Sequence, residues 1–517
     1  MVVRLAPPPT PAADERRVAV VDLGSNTFRI VVFRQDRLGA FRLADEIRDV
    51  VRLSSGQQQG RLAPDAIARA RRTARMYASF CRACGIDEVV AVATSAIREA
   101  ENRDEVVAAI AQEGLPVRVL SAEDEARYAY LGVTNATTLR HGLILDVGGG
   151  SAQLARVVDR GLRQTWSAPV GAVRMTEAFL PGERASRAGM KALRRHVASA
   201  LSPAGWAHLD EGRLVGVGGS IRTLAAMAQK ASGYPLGEVH GYTLTRPALE
   251  QLVEAMAALP ARERDRLPGL KSDRADIMLA GALVVEAVME HVGADRLEVS
   301  AHGLREGLFY ERLLAPADPP LFPDVRRSSV LNAARNFRFE ETHARHVAHL
   351  ATRLFDELGR LGLHDGDERD RELLWAAGIL HDVGVLVDYN DHHKHSYYLV
   401  LNAGLPGFRH RELAMVALLV RSHRKGPPSV EPLGPVVGGG GEALLLRLAA
   451  CLRIAEQLER GRAQIVRDLR CRIEGDRVHV GVVARGDPDL AVWSAEREAP
   501  TFERAYGRAL VLAPENT

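Results

Sequence analysis

VAVVDLGSNTFRIVVF (residues 18–33) decides the fold. Four apolar residues run into Asp22, a short polar turn follows with Gly24, Ser25, Asn26 and Thr27, and the apolar run resumes. That pattern reads as strand, tight turn, strand. It recurs in HGLILDVGGGSAQLARVV (141–158), where Asp146 heads Gly148, Gly149, Gly150 and Ser151. Glycine lets backbone N–H groups close in on phosphate oxygens, and a nest of such amides binds anions. An Asp at the head of each loop is suited to a hard cation such as Mg²⁺. One loop of this kind is ordinarily only a turn. Two of them, each opening a half of the chain, imply a cleft whose related halves grip a phosphate chain from both sides. A third glycine turn, Gly218-Gly219-Ser220, leads into a helix. Its unpaired N–H groups suit an anion, and close helix–strand packing explains the same glycines equally well.

Outward from these loops the chain alternates. Residues 61–84 carry helical spacing, 89–100 read as strand, loop and helix start, and 116–133 as strand then helix. Ser121 and Asp124 stand at capping-box spacing on that last helix. This alternation predicts α/β architecture to about residue 314. APADPPLFP (315–323) then reads as a linker. Beyond it, 340–362, 371–386, 409–425 and 442–460 predict helices, and the chain from 466 returns to strands with a helix. The expected domains are therefore a disordered tail at 1–17, α/β halves at 18–133 and 134–314, an all-helical domain at 315–461 and a small α+β domain at 462–517.

The 517 residues hold 68 basic and 65 acidic side chains, a net charge of +3, which marks no nucleic-acid binder. Only five of the cations are lysine, and arginine suits bidentate phosphate contacts. No apolar run approaches the ~20 residues of a membrane span, and the first residues hold proline and charge where a signal peptide needs an apolar core. A cytoplasmic protein is expected. Four cysteines make no disulfide framework.

The wording of the loops, DLGSNTFR and DVGGGS with SAEDEARYAYLGV between them, resembles the exopolyphosphatase/guanosine-pentaphosphate phosphatase family. The likeness continues through PGLKSDRADIMLAGALV (268–284), HGLREGL (302–308) and HDVGVLVDYNDHHKHSYYLVLNA (381–403). The resemblance implies two actin-like domains of the ribonuclease H-like kind, an HD-type helical domain and a small C-terminal domain. It implies Mg²⁺-dependent release of terminal orthophosphate from inorganic polyphosphate, with Mn²⁺ as the alternative ion and no organic cofactor. Guanosine pentaphosphate hydrolysis, and non-catalytic binding of polyphosphate or an alarmone, are the alternatives. A homodimer is the expected assembly.

Carried over residue by residue, Glu125 matches the catalytic glutamate. Its neighbours Glu123 and Asp124 are not separable from it by spacing. Arg98 matches a phosphate-contacting arginine, flanked by the hydroxyls of Thr94 and Ser95. Asp22 and Asp146 match the metal-holding carboxylates. Gln153 departs from the family's glutamate and weakens a second metal or water-orienting role. In the helical domain His343, His381, Asp382, His395 and His423 resemble the ligands of HD phosphohydrolases. Glu456 and Val385 depart from that pattern where an Asp and a Lys are usual, which favours a structural or substrate-guiding domain over a metal-dependent one.

Overall fold

The structure is a computed structural model and describes residues 15–57, 59–209, 211–424 and 426–515. Most of the expected tail lies outside the described residues. Its last two positions do not belong to a tail, because Arg16 and Arg17 begin the first strand. The chain forms two compact units, divided after Val325.

In the first unit, strands β1 (Arg16–Leu23), β2 (Phe28–Gln35), β3 (Phe41–Asp49), β4 (Glu88–Ala93) and β5 (Arg118–Val119) form one sheet in the order β3-β2-β1-β4-β5. A second sheet holds β6 (Gly142–Val147), β7 (Ala152–Val158), β8 (Gly161–Ala168), β9 (Arg213–Val217), β10 (Thr243–Thr245) and β11 (Arg296–Val299), ordered β10-β11-β9-β6-β7-β8. Each sheet opens with a three-strand antiparallel meander and continues with parallel strands on the side of its first strand. The repeat seen in the loops is thus a repeat of topology over five strands, to which the second sheet adds β10 as an antiparallel edge.

Strand periodicity explains how the sheets are clamped together. Successive side chains of a strand point to opposite faces, so Ala19, Val21 and Leu23 pack under the helix Pro64–Ala83 through Ala66, Ala70 and Tyr77. Val18 and Val20 point the other way, into a core shared with Ile144, Ala155 and Val215 of the second sheet. The helices Ala122–Thr134 and Leu304–Leu313 fill that shared core through Leu131, Val133, Leu308 and Phe309. Backbones meet there closely. A Cβ on Gly132 would lie 2.1 Å from Gly303 O, and one on Gly307 would lie 2.0 Å from Tyr128 O. On the outer face of the second sheet the helix Met278–Val292 is buried nearly all round, as a central core helix must be.

The segment expected as a free linker instead packs on this unit. Asn135 donates to Pro320 O at 2.9 Å and accepts from Phe322 N at 2.8 Å, while Phe322 stacks on Phe41. Apolar Leu321 and Phe322 account for this, since they join the shared core.

The second unit has helices Val325–Asn336, Glu341–Arg360, Glu368–Leu380, His392–Ala403, His410–Ser422 and Gly441–Leu458, then strands β12 (Val466–Glu474), β13 (Arg477–Ala484) and β14 (Ala509–Pro514). The helix expected over 371–386 stops at Leu380, and a 3₁₀ turn takes up Val383–Leu386. Gly384 lets this turn lie close against the next helix: a Cβ there would lie 2.3 Å from both His392 O and Ser396 N. Among the described residues no helix is long and apolar enough to cross a membrane.

Candidate active site

The two glycine loops close in the same way. Gly24 N donates to Thr27 O at 3.2 Å, and Gly148 N donates to Ser151 O at 3.0 Å. Register then sets the side chains across each hairpin, pairing Asp22 with Arg29 and Asp146 with Gln153. The loops meet face to face. A Cβ on Gly149 would touch Ser25 Cβ at 3.2 Å, and one on Gly150 would lie 2.5 Å from Ser95 Oγ. Ser25 and Ser95 are themselves 3.2 Å apart, oxygen to oxygen. Between the loops lies a cleft walled by Gly24–Thr27, Thr94, Ser95, Glu125, Gly148, Gly149, Ser151, Gly218 and Gly219, with Asp22 and Asp146 recessed in it.

Gly218 needs to be glycine twice over. Its φ is +94°, and a Cβ would stand 2.6 Å from Asp146 Oδ1. Gly219 lies under Arg274, whose Nη1 would be 2.2 Å from an added Cβ. Three expected phosphate contacts are not on the cleft wall. Gly150 is covered by Ser25 and Ser95, and Ser220 is turned into the core against Gly281. Arg98 is engaged by Glu125 and by Leu120 O, the latter at 3.1 Å.

The helix Ala122–Thr134 separates the three acids that spacing left equivalent. Asp124 and Ser121 close the capping box, and Glu123 is exposed. Glu125 alone is buried and reaches the cleft. Its carboxylate is held at both ends, with Arg98 Nη1 on Oε1 and Gln153 Nε2 donating to Oε2 at 3.0 Å. Burial raises its pKa to about 7; Arg98 opposes that rise, and Asp146 and Asp22 add to it. A carboxylate titrating near neutrality matches the demand on a general base. Gln153 also donates to Ser151 Oγ at 2.8 Å. It therefore presents its amide nitrogen to the base; of the two roles weighed for it in the sequence, metal ligand through its carbonyl or partner to the water site, this contact favours the second.

The sequence reading missed the strongest feature of the cleft, which is its arginines. Arg29, Arg48, Arg222, Arg274 and Arg305 all line it. Burial, together with crowding by Arg305 or Arg48, lowers Arg29, Arg222 and Arg274 to about 10. Glu46, 2.7 Å from Arg29, and Asp273, beside Arg48, answer part of this charge, and the remainder gives the cleft a field that draws in polyanions. Three of the five, Arg29, Arg274 and Arg305, stand inside motifs quoted above, yet spacing along a chain says nothing of convergence in space.

A divalent cation fits the same cleft. Burial raises both Asp22 and Asp146, the latter to about 6 with Asp22 adding to the effect. The two recessed carboxylates, beside the hydroxyls of Ser25, Thr27 and Ser151, offer the oxygen donors that a hard ion takes, while Arg222 and Arg305 oppose the rise in both pKa values.

In the second unit the histidine cluster is also real, with one exchange. His343, His381, Asp382 and His423 come together, joined by His392 and Glu456. His395, expected in that set, is not among the grouped residues; His392, at the start of the same helix, holds the place. Burial opposes charge on His381, but Asp382 and Glu456 outweigh it and raise its pKa to about 9. Burial and the nearby His381 lower His423 to about 3.

Comparison with known proteins bears on the family and the fold. A model of the Ppx/GppA phosphatase family matches residues 31–315, and a model of Ppx/GppA phosphatase domain III matches 325–485. The crystal structure of the Ppx/GppA family member from Aquifex aeolicus is 30% identical, with a TM-score of 0.51, covering 58% of this chain and 98% of its own. An exopolyphosphatase from Cytophaga hutchinsonii shares the fold at 24% identity and a TM-score of 0.54, covering 58% of this chain and 98% of its own. An exopolyphosphatase-like protein is 27% identical with a TM-score of 0.53, covering 58% of this chain and all of its own.

Proposed function

The chain belongs to the Ppx/GppA phosphatase family, and from that premise we propose that it is an exopolyphosphatase, releasing orthophosphate from the end of inorganic polyphosphate. One observation carries the choice of substrate. Five guanidiniums line the cleft, and among its described lining residues only Val147 and Leu304 carry apolar side chains beyond alanine size. That wall matches a chain of phosphates and offers no aromatic face for a base, which would favour a nucleotide.

In this reading the amides of Gly24–Thr27 and Gly148–Ser151 hold the terminal phosphates, and the arginines hold those that follow. Glu125 accepts a proton from water as the water oxygen bonds to the terminal phosphorus and the bridging P–O bond breaks. The shortened chain departs with the bonding electron pair. Arg98 and Gln153 keep the carboxylate aimed, so the step draws on positioning and preset charge. Asp22 and Asp146 would hold Mg²⁺, or Mn²⁺, which when bound neutralises phosphate charge. The second unit would serve as a substrate-guiding or structural domain, and the assembly would be a homodimer.

Phosphate release from long-chain polyphosphate, guanosine pentaphosphate and ATP, assayed side by side with Mg²⁺, tests the proposal. Polyphosphate should give the highest kcat/KM. A higher value on guanosine pentaphosphate reassigns the substrate, and binding of polyphosphate without phosphate release from any of the three makes the chain a sensor.

A further inference from the structure

We propose, resting on the polyphosphate reading above, that Glu46 and Asp273 are placeholder carboxylates. They occupy Arg29 and Arg48 until the distal phosphates of the substrate take those guanidiniums over, and they reclaim them as the chain shortens. Strand register creates the need. Arg29 on β2 stands directly opposite Arg48 on β3, and Glu46 precedes Arg48 by two residues, hence on the same face. Like charges directly opposite one another on a sheet repel. Glu46 Oε1 answers Arg29 Nη1 at 2.7 Å and approaches Arg305 Nη1 at 4.0 Å. Asp273, on the 3₁₀ turn Ser272–Arg274 of the other half, answers Arg48 Nη2 at 2.5 Å. Arg52 and Asp276 add a second pair between the same two segments, at 3.2 Å. Arg222, by contrast, donates to a backbone carbonyl, Ala301 O, at 2.9 Å.

These pairs are built to be exchanged. Glu46 and Asp273 keep 37% and 27% of their side-chain surface exposed, and ion pairs open to solvent add little stability. Each acid engages through one oxygen only. Glu46 Oε1 serves both Arg29 and Arg305, while Asp273 Oδ1 is buried with no hydrogen-bond partner. A bridge made for stability would take up both oxygens in the bidentate fork. A phosphate presents that fork to a guanidinium, so a phosphate held close by displaces a carboxylate bound through one oxygen. Holding is what separates the substrate from a free anion. The distal phosphates of a chain already gripped by the glycine loops meet these arginines at a high effective concentration, whereas a single phosphate meets them only at its bulk concentration. The acids therefore keep released orthophosphate off the distal arginines and yield to the chain. As the chain advances by one phosphate after each cleavage, a carboxylate covers any guanidinium left bare.

The test is calorimetric titration of the full-length chain, carrying Glu125→Gln to suppress turnover, with long-chain polyphosphate and with pyrophosphate, which fills the glycine loops alone. Adding Glu46→Gln or Asp273→Asn removes a carboxylate that the chain must displace. Either change should tighten long-chain binding about tenfold, the order of one charge-assisted contact, and pyrophosphate binding by less than about twofold. Glu46→Gln acts within one half, so its effect does not come from loosening the halves. Glu99→Gln controls for net charge: Glu99 pairs with Arg174 at 2.5 Å, outside the five cleft arginines. It should leave long-chain binding within about twofold, as for an ordinary surface change. Circular dichroism checks each variant, and because the two acids lie on different elements, one folded variant suffices. Long-chain binding that weakens or stays unchanged in either folded variant shows that the acids only brace the arginines, and overturns the proposal. Equal tightening of pyrophosphate, or equal tightening by Glu99→Gln, overturns it as well. Long-chain polyphosphate that binds the Glu125→Gln chain no more tightly than pyrophosphate overturns the substrate assignment and this proposal with it. Tight binding that neither variant strengthens overturns this proposal alone.

Discussion

Replacing Gln153 by Glu probes the base through its partner. In the folded chain Gln153 Nε2 donates to Glu125 Oε2 at 3.0 Å, and the side chain that makes this contact is neutral. A glutamate in the same rotamer would bring two anions to a charge separation of about 4 Å. At an effective dielectric constant near 20 the repulsion is about 4 kcal/mol, equivalent to roughly three pH units in the titration of Glu125. Relaxation of the new side chain away from Glu125 would reduce this to about two. Since burial already places Glu125 near 7, the base would be protonated at neutral pH unless a cation lay close to both acids. Without the substitution, kcat/KM should fall about tenfold per pH unit below 7, because the base must be deprotonated to work. In Gln153→Glu the acid limb should move upward by about two pH units at low Mg²⁺ and return toward the wild-type position as Mg²⁺ is raised. The assay is kcat/KM for polyphosphate against pH at several Mg²⁺ concentrations. An acid limb that neither moves nor depends on Mg²⁺ would refute the placement of Gln153 beside the base.

Glu125→Gln should lower phosphate release by about 100-fold or more with polyphosphate binding retained, as read by filter binding; a near-normal rate would return the role to Glu123 or Asp124. Arg274→Gln should raise KM for long chains about tenfold, the order of one charge-assisted contact, and flatten the dependence of KM on salt. Because an added methyl on Gly219 would lie 2.2 Å from Arg274 Nη1, Gly219→Ala should have a similar effect, and the double variant should be no worse than the poorer single one. Truncation after Val325, which keeps the packed segment 315–324 on the first unit, should leave short-chain hydrolysis measurable; loss of all hydrolysis in a fragment shown folded by circular dichroism would place part of the site in the second unit.

Local patterns made much of this protein legible in its sequence. Strand, turn and strand around Asp22 and again around Asp146 follow from apolar runs broken by glycine and hydroxyl residues. The cap at Ser121 follows from Asp124 three residues on, and the helix Glu341–Arg360 from apolar residues at three- and four-residue spacing. These signals are carried by near neighbours in the chain, so one sequence suffices to state them. In the segment 315–323 the prolines carry the local signal of a linker, whereas Leu321 and Phe322 supply the apolar side chains that pack it on the first unit.

Only tertiary structure decided which of Glu123, Asp124 and Glu125 faces the cleft, since that depends on how the helix is rotated against the shared core. Structure alone likewise set His392 in place of His395, and turned Gln153 toward the base. It alone gathered Arg29, Arg48, Arg222, Arg274 and Arg305, which lie on segments far apart in the chain. The physical reason is common to all four cases. Periodicity along a chain records which face of an element is apolar, whereas charge convergence and hydrogen-bond partnership depend on distances between elements, set only when those faces pack.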